Sequence, residues 1–119
     1  MSRSDAVTGT ESEDARIVTV FRSRLRAEAL EEYRELAGRM EARARAMPGL
    51  LDFKTFVADD GERVSIVVFD SWANHEAWRT DEEHRRAQDR GRSALYESYA
   101  IQVARELRRR QHPPSFTDP

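Results

Sequence analysis

The sequence contains no cysteine, which excludes disulfide bonds, thiolate nucleophiles and cysteine-bound metals. Its three histidines are scattered along the chain and do not have the spacing of a zinc site. The five glycines are isolated, so there is neither a phosphate-cradling loop nor a dinucleotide-binding fingerprint. We therefore expect a protein with no structural metal and no bound flavin or nicotinamide cofactor.

Long hydrophobic runs and an excess of one charge are also missing. No stretch approaches the roughly 18 apolar residues that a membrane span requires, and residues 1–14 lack the apolar run of a secretory signal. The 20 basic and 22 acidic residues are mixed along the chain and give a net charge of −2. This mixture offers no extended positive surface to a polyanion. We expect a cytoplasmic protein that binds neither membranes nor nucleic acids.

A chain of 119 residues has room for one domain. Residues 1–14 are rich in Ser, Thr, Asp and Glu and hold only Val7 as a large hydrophobe, which predicts a disordered arm. Residues 111–119 contain the consecutive prolines Pro113 and Pro114, which predict a flexible tail. The folded domain is expected at residues 15–110.

The first half of this domain reads as strand, helix and hairpin. Residues 17–21 are mostly β-branched or aromatic, as in a buried strand. From Ala27 onward, apolar residues recur at spacings of three and four, which predicts a helix of about five turns. The residues of its apolar side are Leu30, Tyr33, Ala37, Met40, Ala44 and Met47. Residues 50–57 and 64–69 read as two strands joined by a tight turn at Asp60 and Gly61.

The second half adds a broken helix and a last strand. Ser71 is predicted to cap a short helix, with Trp72 anchoring its start in the core. Thr80 and Glu83 have the spacing of a capping box, which opens a second helical stretch to about residue 97. Residues 99–103 are the fourth strand. The order β-α-β-β-α-β predicts an α+β ferredoxin-like fold, in which both helices cover one face of a four-stranded antiparallel sheet.

The other face of this sheet is also apolar. Val18 and Val20 alternate with Ile17 and Phe21 in the first strand, whereas a half-solvated strand alternates with polar residues. No hydrophobic segment is left over to cover that face. We expect a homodimer in which a second copy covers it; the alternative is a monomer with an exposed apolar face.

The last helix has an inner stripe that is predicted to face the sheet. Its members are His84, Ala87, Gln88, Gly91, Ala94 and Leu95. Gly91 costs a helix about 1 kcal/mol relative to alanine, so it either leaves a cavity between helix and sheet or permits close packing. The residues expected to point elsewhere are Arg85, Arg86, Asp89, Arg90 and Arg92, whose arginines form a solvated face or meet an acidic ligand group. His75 is expected to be exposed, and His112 lies in the tail.

The sequence resembles the antibiotic biosynthesis monooxygenase family over residues 16–107. The resemblance is carried by residues 17–25, 46–51, 69–78 and 83–85. This family of dimeric α/β-barrel proteins includes cofactor-independent anthrone oxygenases and haem-degrading monooxygenases. The resemblance implies the same dimeric fold, whereas the chemistry differs between members.

The resemblance also implies a site. In the aromatic-polyketide oxygenases of the family, an asparagine and a tryptophan four residues later line the pocket, and Asn74 and Trp78 match that spacing. Six residues further those enzymes carry a tyrosine that handles protons, and here that position is His84. The implied roles are hydrogen-bond donor for Asn74, pocket wall for Trp78 and proton acceptor or donor for His84. The substrate-binding residues expected with them are Phe21, Gln88, Gly91 and Leu95.

Haem degradation is disfavoured by two positions. Gln88 stands where the haem-degrading members have their iron-ligating histidine, and Phe21 stands where they have an asparagine. The sequence therefore predicts a cofactor-independent monooxygenase of an aromatic or polyketide-like molecule. Two alternatives stay open: a noncatalytic dimer that binds a small hydrophobic ligand or assists a pathway, and a haem-binding relative. Trp78 and His84 would be ordinary core residues in a protein without a pocket.

Overall fold

The computed structural model describes residues 15–113 and contains one four-stranded sheet. Its strands are β1 (Ile17–Leu25), β2 (Leu50–Val57), β3 (Arg63–Phe69) and β4 (Tyr96–Arg105). The strand order is β2-β3-β1-β4, and every neighbouring pair is antiparallel. The predicted arm at residues 1–14 and most of the predicted tail lie outside the described residues.

The helices occupy the two crossovers of the predicted ferredoxin-like α+β fold. They are α1 (Leu30–Arg45), α2 (Trp72–Arg79) and α3 (Glu82–Arg90), which continues into a π-helical turn (Gly91–Leu95). The predicted break near Thr80 is confirmed, since α2 ends one residue before it. None of these helices has the length and apolarity that crossing a membrane would need.

The cap of α2 is the predicted one, and the cap of α3 is not. Ser71 Oγ accepts a hydrogen bond from the Asn74 N–H at 3.1 Å. The capping box at Thr80 was wrong, because Asp81 is the N-cap of α3 and its carboxylate accepts from the His84 N–H at 3.0 Å. The Thr80 hydroxyl instead donates to the Glu76 carbonyl at 2.8 Å and closes α2.

Strand β4 is longer than residues 99–103, the range that its composition predicts. Its pairing with β1 already begins at Leu25 and Tyr96 and runs on to Arg105 opposite Ile17. The strand contains Glu97, Ser98 and other polar residues, so its composition does not predict its full length. They are exposed in the structure, where hydrogen bonding to β1 compensates for their weak strand propensity.

All three helices lie on one face of the sheet, with the core between them and the strands. Ala44, Phe69 and Trp78 are the centre of this core. Because side chains alternate along a strand, the opposite face carries the cross-strand pairs Val18–Val68 and Val20–Ile66. These side chains are only partly buried, and no described helix packs against them.

Candidate functional site

A cavity of about 360 Å³ lies between the sheet and the helices. Its sheet side and α1 are mainly apolar and include Phe21, Val67 and Met40. Its other side is polar, with side chains four residues apart: His75 and Arg79 on α2, then His84, Gln88 and Arg92 on α3 and the π-helical turn. The cavity is therefore amphipathic, which is the usual character of a small-molecule site.

His84 and Trp78 form a stacked pair in this cavity. Their ring centroids are 3.9 Å apart and their planes differ by 15°. His84 Nδ1 lies 3.1 Å from the Trp78 carbonyl oxygen, which can only accept, so Nδ1 carries the ring proton. Among the described residues nothing bonds Nε2, whose lone pair is therefore available. Burial lowers the pKa of His84 below 6.5, partly opposed by the hydrogen bond to Trp78. The imidazole is thus a neutral base at neutral pH.

The break between α2 and α3 creates this pair. Asp81 fixes the first turn of α3 through the His84 N–H and is itself held by Arg43, whose Nη2 donates to Asp81 Oδ1 at 2.7 Å. Arg43 belongs to α1, so the start of α3 is tied to a second helix. With the start of α3 held in this position, the His84 ring stacks on the ring of Trp78, six residues earlier in the chain.

His75 is buried, although the sequence predicts it to be exposed. Its residue is 4% exposed, and Trp72 packs on it with ring centroids 5.1 Å apart. Its Nδ1 is buried without a hydrogen-bond partner among the described residues, since Glu76 Oε2 at 3.3 Å is poorly aligned. Burial also lowers the pKa of His75. Its position three residues before Trp78 is the sequence signal that could have found it.

Two other expectations for this region were wrong. Trp72 is 49% exposed, so it covers His75 from outside instead of anchoring the core. Arg92 lines the cavity instead of pointing elsewhere. The π-helical turn explains Arg92, because its wider i+5 hydrogen bonding, from the Tyr96 N–H to the Gly91 carbonyl, changes which side chains share a face.

Asn74 does not line the cavity. Its side-chain amide donates to Asp70 Oδ1 at 2.8 Å, beside the start of α2. Both side chains pack against Gly49, whose positive φ of 84° and lack of a Cβ leave room for them. The structure therefore separates Asn74 from Trp78 and His84, and its role as a substrate hydrogen-bond donor remains a prediction without a contact to support it.

The predicted substrate-binding residues divide into two groups. Phe21 and Gln88 line the cavity with Trp78 and His84. Leu95 is 1% exposed, belongs to the core and is not part of the lining. Gly91 permits close packing, because a Cβ there would lie 2.5 Å from Cε2 of Tyr96, a residue of the lining.

Tyr96 belongs to an aromatic cluster at one end of the cavity. Its ring centroid is 5.3 Å from that of Phe21 and 6.4 Å from that of Tyr33. Burial raises the pKa of Tyr96 to about 12 and also raises the pKa of Tyr33. Both phenols thus keep their protons at neutral pH and are hydrogen-bond donors, not bases. Within residues 15–113, no three His, Asp or Glu side chains are grouped to hold a metal ion.

Comparison with known proteins agrees with the sequence resemblance. Residues 16–90 match the family model for antibiotic biosynthesis monooxygenase. The uncharacterised protein YqjZ of Bacillus subtilis (strain 168) is 36% identical over 86 residues, which are 72% of this chain and 75% of that protein.

Solved structures share the fold at low sequence identity. Rv0793 from Mycobacterium tuberculosis has a TM-score of 0.73 at 19% identity, covering 82% of this chain and 100% of that chain. SnoaB, a cofactor-independent oxygenase from Streptomyces nogalater, has a TM-score of 0.68 at 16% identity, covering 85% and 99%. These structures support the fold, and the matched sequence extends over more than half of the chain. The protein therefore belongs to the antibiotic biosynthesis monooxygenase family.

Proposed function

We propose that this protein is a cofactor-independent monooxygenase that acts on an aromatic or polyketide-like small molecule. The observation that carries the proposal is the stacked pair of His84 and Trp78, a neutral imidazole with a free Nε2 in a largely apolar cavity. Membership of the family supports it. So does the likeness in fold to SnoaB, a cofactor-independent oxygenase.

The reaction that suits these groups begins with proton removal. His84 Nε2 takes a proton from an acidic CH₂ beside the aromatic system, and the resulting anion is delocalised over the ring. The anion gives one electron to O₂, and the two radicals combine as a peroxide on that carbon. Its protonation and loss of water leave a carbonyl, so CH₂ and O₂ become C=O and H₂O without an outside reductant. Tyr96, which keeps its proton, is a donor for the anionic intermediates.

Oxygen uptake in the presence of an anthrone tests this proposal. We expect the His84→Gln variant to lose about 100-fold or more of the rate, because a general base contributes on that order. The matched control is His112→Gln, since His112 is exposed and does not line the cavity. Equal rates in wild type and His84→Gln would refute the proposal.

A noncatalytic ligand-binding protein is the second candidate. Gln88 and His84, in the positions discussed above, differ from both the haem-degrading and the anthrone-oxidising members of the family. Saturable binding of the anthrone without oxygen uptake supports this candidate. A Soret shift on addition of haemin, without anthrone oxidation, supports a haem-binding relative instead.

We propose further that the protein is a homodimer. Val18, Val20, Ile66 and Val68 form a continuous apolar row on the sheet face that no described helix covers. The same face of a second copy matches this row by two-fold symmetry, as in the commonest type of oligomer. The apolar row is flanked by charges of both signs, Asp52 and Lys54 among them, so the face does not repel itself.

A further inference from the structure

The charged side chains of the cavity are of one sign. They are Arg79 and Arg92, and no Asp or Glu lines the cavity among the described residues. Their carboxylate partners, Glu76 and Asp89, lie outside the lining, so the only formal charges that face the cavity are positive. The proposed oxidation requires neither arginine, so they are free to serve another purpose.

Arg92 has hydrogen-bonding capacity left over. Its Nη2 donates to Asp89 Oδ1 at 2.7 Å, and no described residue accepts from its Nε or Nη1. Its side chain is 40% exposed, so it is partly desolvated. Burial is the main cause of the lowered pKa of His84 and the raised pKa of Tyr96, and the Arg92 charge acts to lower both, which agrees with a guanidinium close to the aromatic end of the cavity.

Arg79 is the second cation, on the other helix. Glu76 accepts from its Nε and Nη2 at 3.0 and 2.9 Å, and its Nη1 has no acceptor among the described residues. The side chain is 58% exposed, so water screens it more than Arg92. Arg79 is therefore suited to a secondary contact.

We propose that the cavity selects flat aromatic molecules that carry a carboxylate, with Arg92 as the main anchor and Arg79 as the secondary one. A planar guanidinium with two free N–H directions fits a carboxylate better than it fits a neutral group. The aromatic body lies against Phe21 and Trp78, on the apolar side. This inference rests on the proposed function, because it takes the same cavity as the substrate site.

Titration calorimetry with two probes of equal size tests it. 2-Naphthoate carries the charge and 2-naphthamide does not. We expect wild type to bind naphthoate about tenfold more tightly or better, the scale of a charge-assisted hydrogen bond. Arg92→Gln should abolish most of this preference, and Arg92→Lys should retain part of it. The matched control is Arg86→Gln, because Arg86 is 70% exposed, pairs with Glu82 and is not in the lining.

Two outcomes would overturn this inference: equal or absent binding of the two probes by wild type, or a preference that Arg92→Gln and Arg86→Gln retain equally. Thermal melts of each variant show that it is folded. Oxygen uptake from an anthrone tests the proposed function separately. A protein that prefers naphthoate but consumes no oxygen contradicts only the monooxygenase, and one that consumes oxygen without the preference contradicts only the carboxylate site.

Discussion

His84 is the residue whose pKa should set the pH range of the proposed reaction. Burial lowers its pKa below 6.5, so the basic form persists to more acidic pH than for a free histidine. We expect kcat/KM for oxygen uptake to fall only at acidic pH, with a midpoint below 6.5, and to be flat at neutral pH. His84→Gln should remove the midpoint, and His112→Gln should leave it in place. A midpoint above 6.5 would contradict the burial of this imidazole.

Buried histidines also make the stability of the fold pH-dependent. The pKa values of His75 and His84 are both lowered by burial, so the unfolded chain binds more protons than the folded chain at mildly acidic pH. The free energy of unfolding should therefore fall from about pH 7 to about pH 5. His75→Leu should reduce this slope in thermal melts, because it removes a buried imidazole. An unchanged slope would mean that His75 is hydrated in solution.

Two glycines at helical positions should respond oppositely to alanine. A Cβ at Gly91 meets the Tyr96 ring, which is confined by Phe21 and Tyr33, so Gly91→Ala should destabilise the fold by about 1 kcal/mol or more. A Cβ at Gly38 meets nothing within 4 Å. Gly38→Ala should therefore stabilise α1 by up to about 1 kcal/mol. Urea denaturation measures both changes in stability. If Gly91→Ala stabilised the fold, the Tyr96 ring would have to move aside at little cost.

At the scale of single elements, the start of α3 depends on one carboxylate. Asp81→Ala removes the cap of α3 and the closer of the two carboxylates that pair with Arg43, and we expect it to cost about 1–2 kcal/mol. Thr80→Ala loses only a hydroxyl that donates to a helix carbonyl, and it should cost less. Urea denaturation of the two variants ranks them. A larger loss of stability in Thr80→Ala than in Asp81→Ala would indicate that Thr80, not Asp81, is the N-cap.

Among the elements, the buried face of a helix was predictable from the sequence, but the choice of cap residue was not. The spacing of Tyr33, Met40 and Ala44 was enough to predict the buried side of α1, and all three are buried. The neighbouring residues Thr80 and Asp81 are both good N-caps, so residue preference alone did not choose between them. In the structure Asp81 caps α3 and also pairs with Arg43 of α1.

At the scale of the whole molecule, the uncovered sheet face is where we expect a second copy to bind. Ile66 lies opposite Val20 on one side and Lys54 on the other, in the middle of that face. We expect wild type to sediment as a dimer and Val20→Asp to dissociate it, because Val20 lies between Ile66 and Gln102 and a carboxylate buried there has no cation directly opposite. Val57→Asp is the control, since Val57 is 57% exposed and alternation places it on the helix side. A wild-type protein that sediments as a monomer would refute the dimer.

The cavity is assembled from distant segments, which limits what its sequence reveals. His84 and Gln88 were expected to face inward from the helical repeat, and Trp78 was expected as a pocket wall from the family resemblance; all three line the cavity. His75 and Arg92 were missed because they are polar residues beside other polar residues. His75 shares its helix face with Trp78, so the spacing of three could have revealed it. The inward direction of Arg92 depends on the π-helical turn, which has no periodic signature.

The neighbours of the two tryptophans give the protein an intrinsic optical signal. Trp72 lies against His75 and Trp78 lies against His84, with ring centroids 5.1 and 3.9 Å apart. An imidazolium quenches the fluorescence of an indole that it touches, whereas neutral imidazole quenches it little. Tryptophan fluorescence should therefore decrease as acid is added. The histidine with the higher pKa should quench its neighbouring tryptophan first. Each histidine can then be followed without any label, by replacing the other tryptophan with phenylalanine.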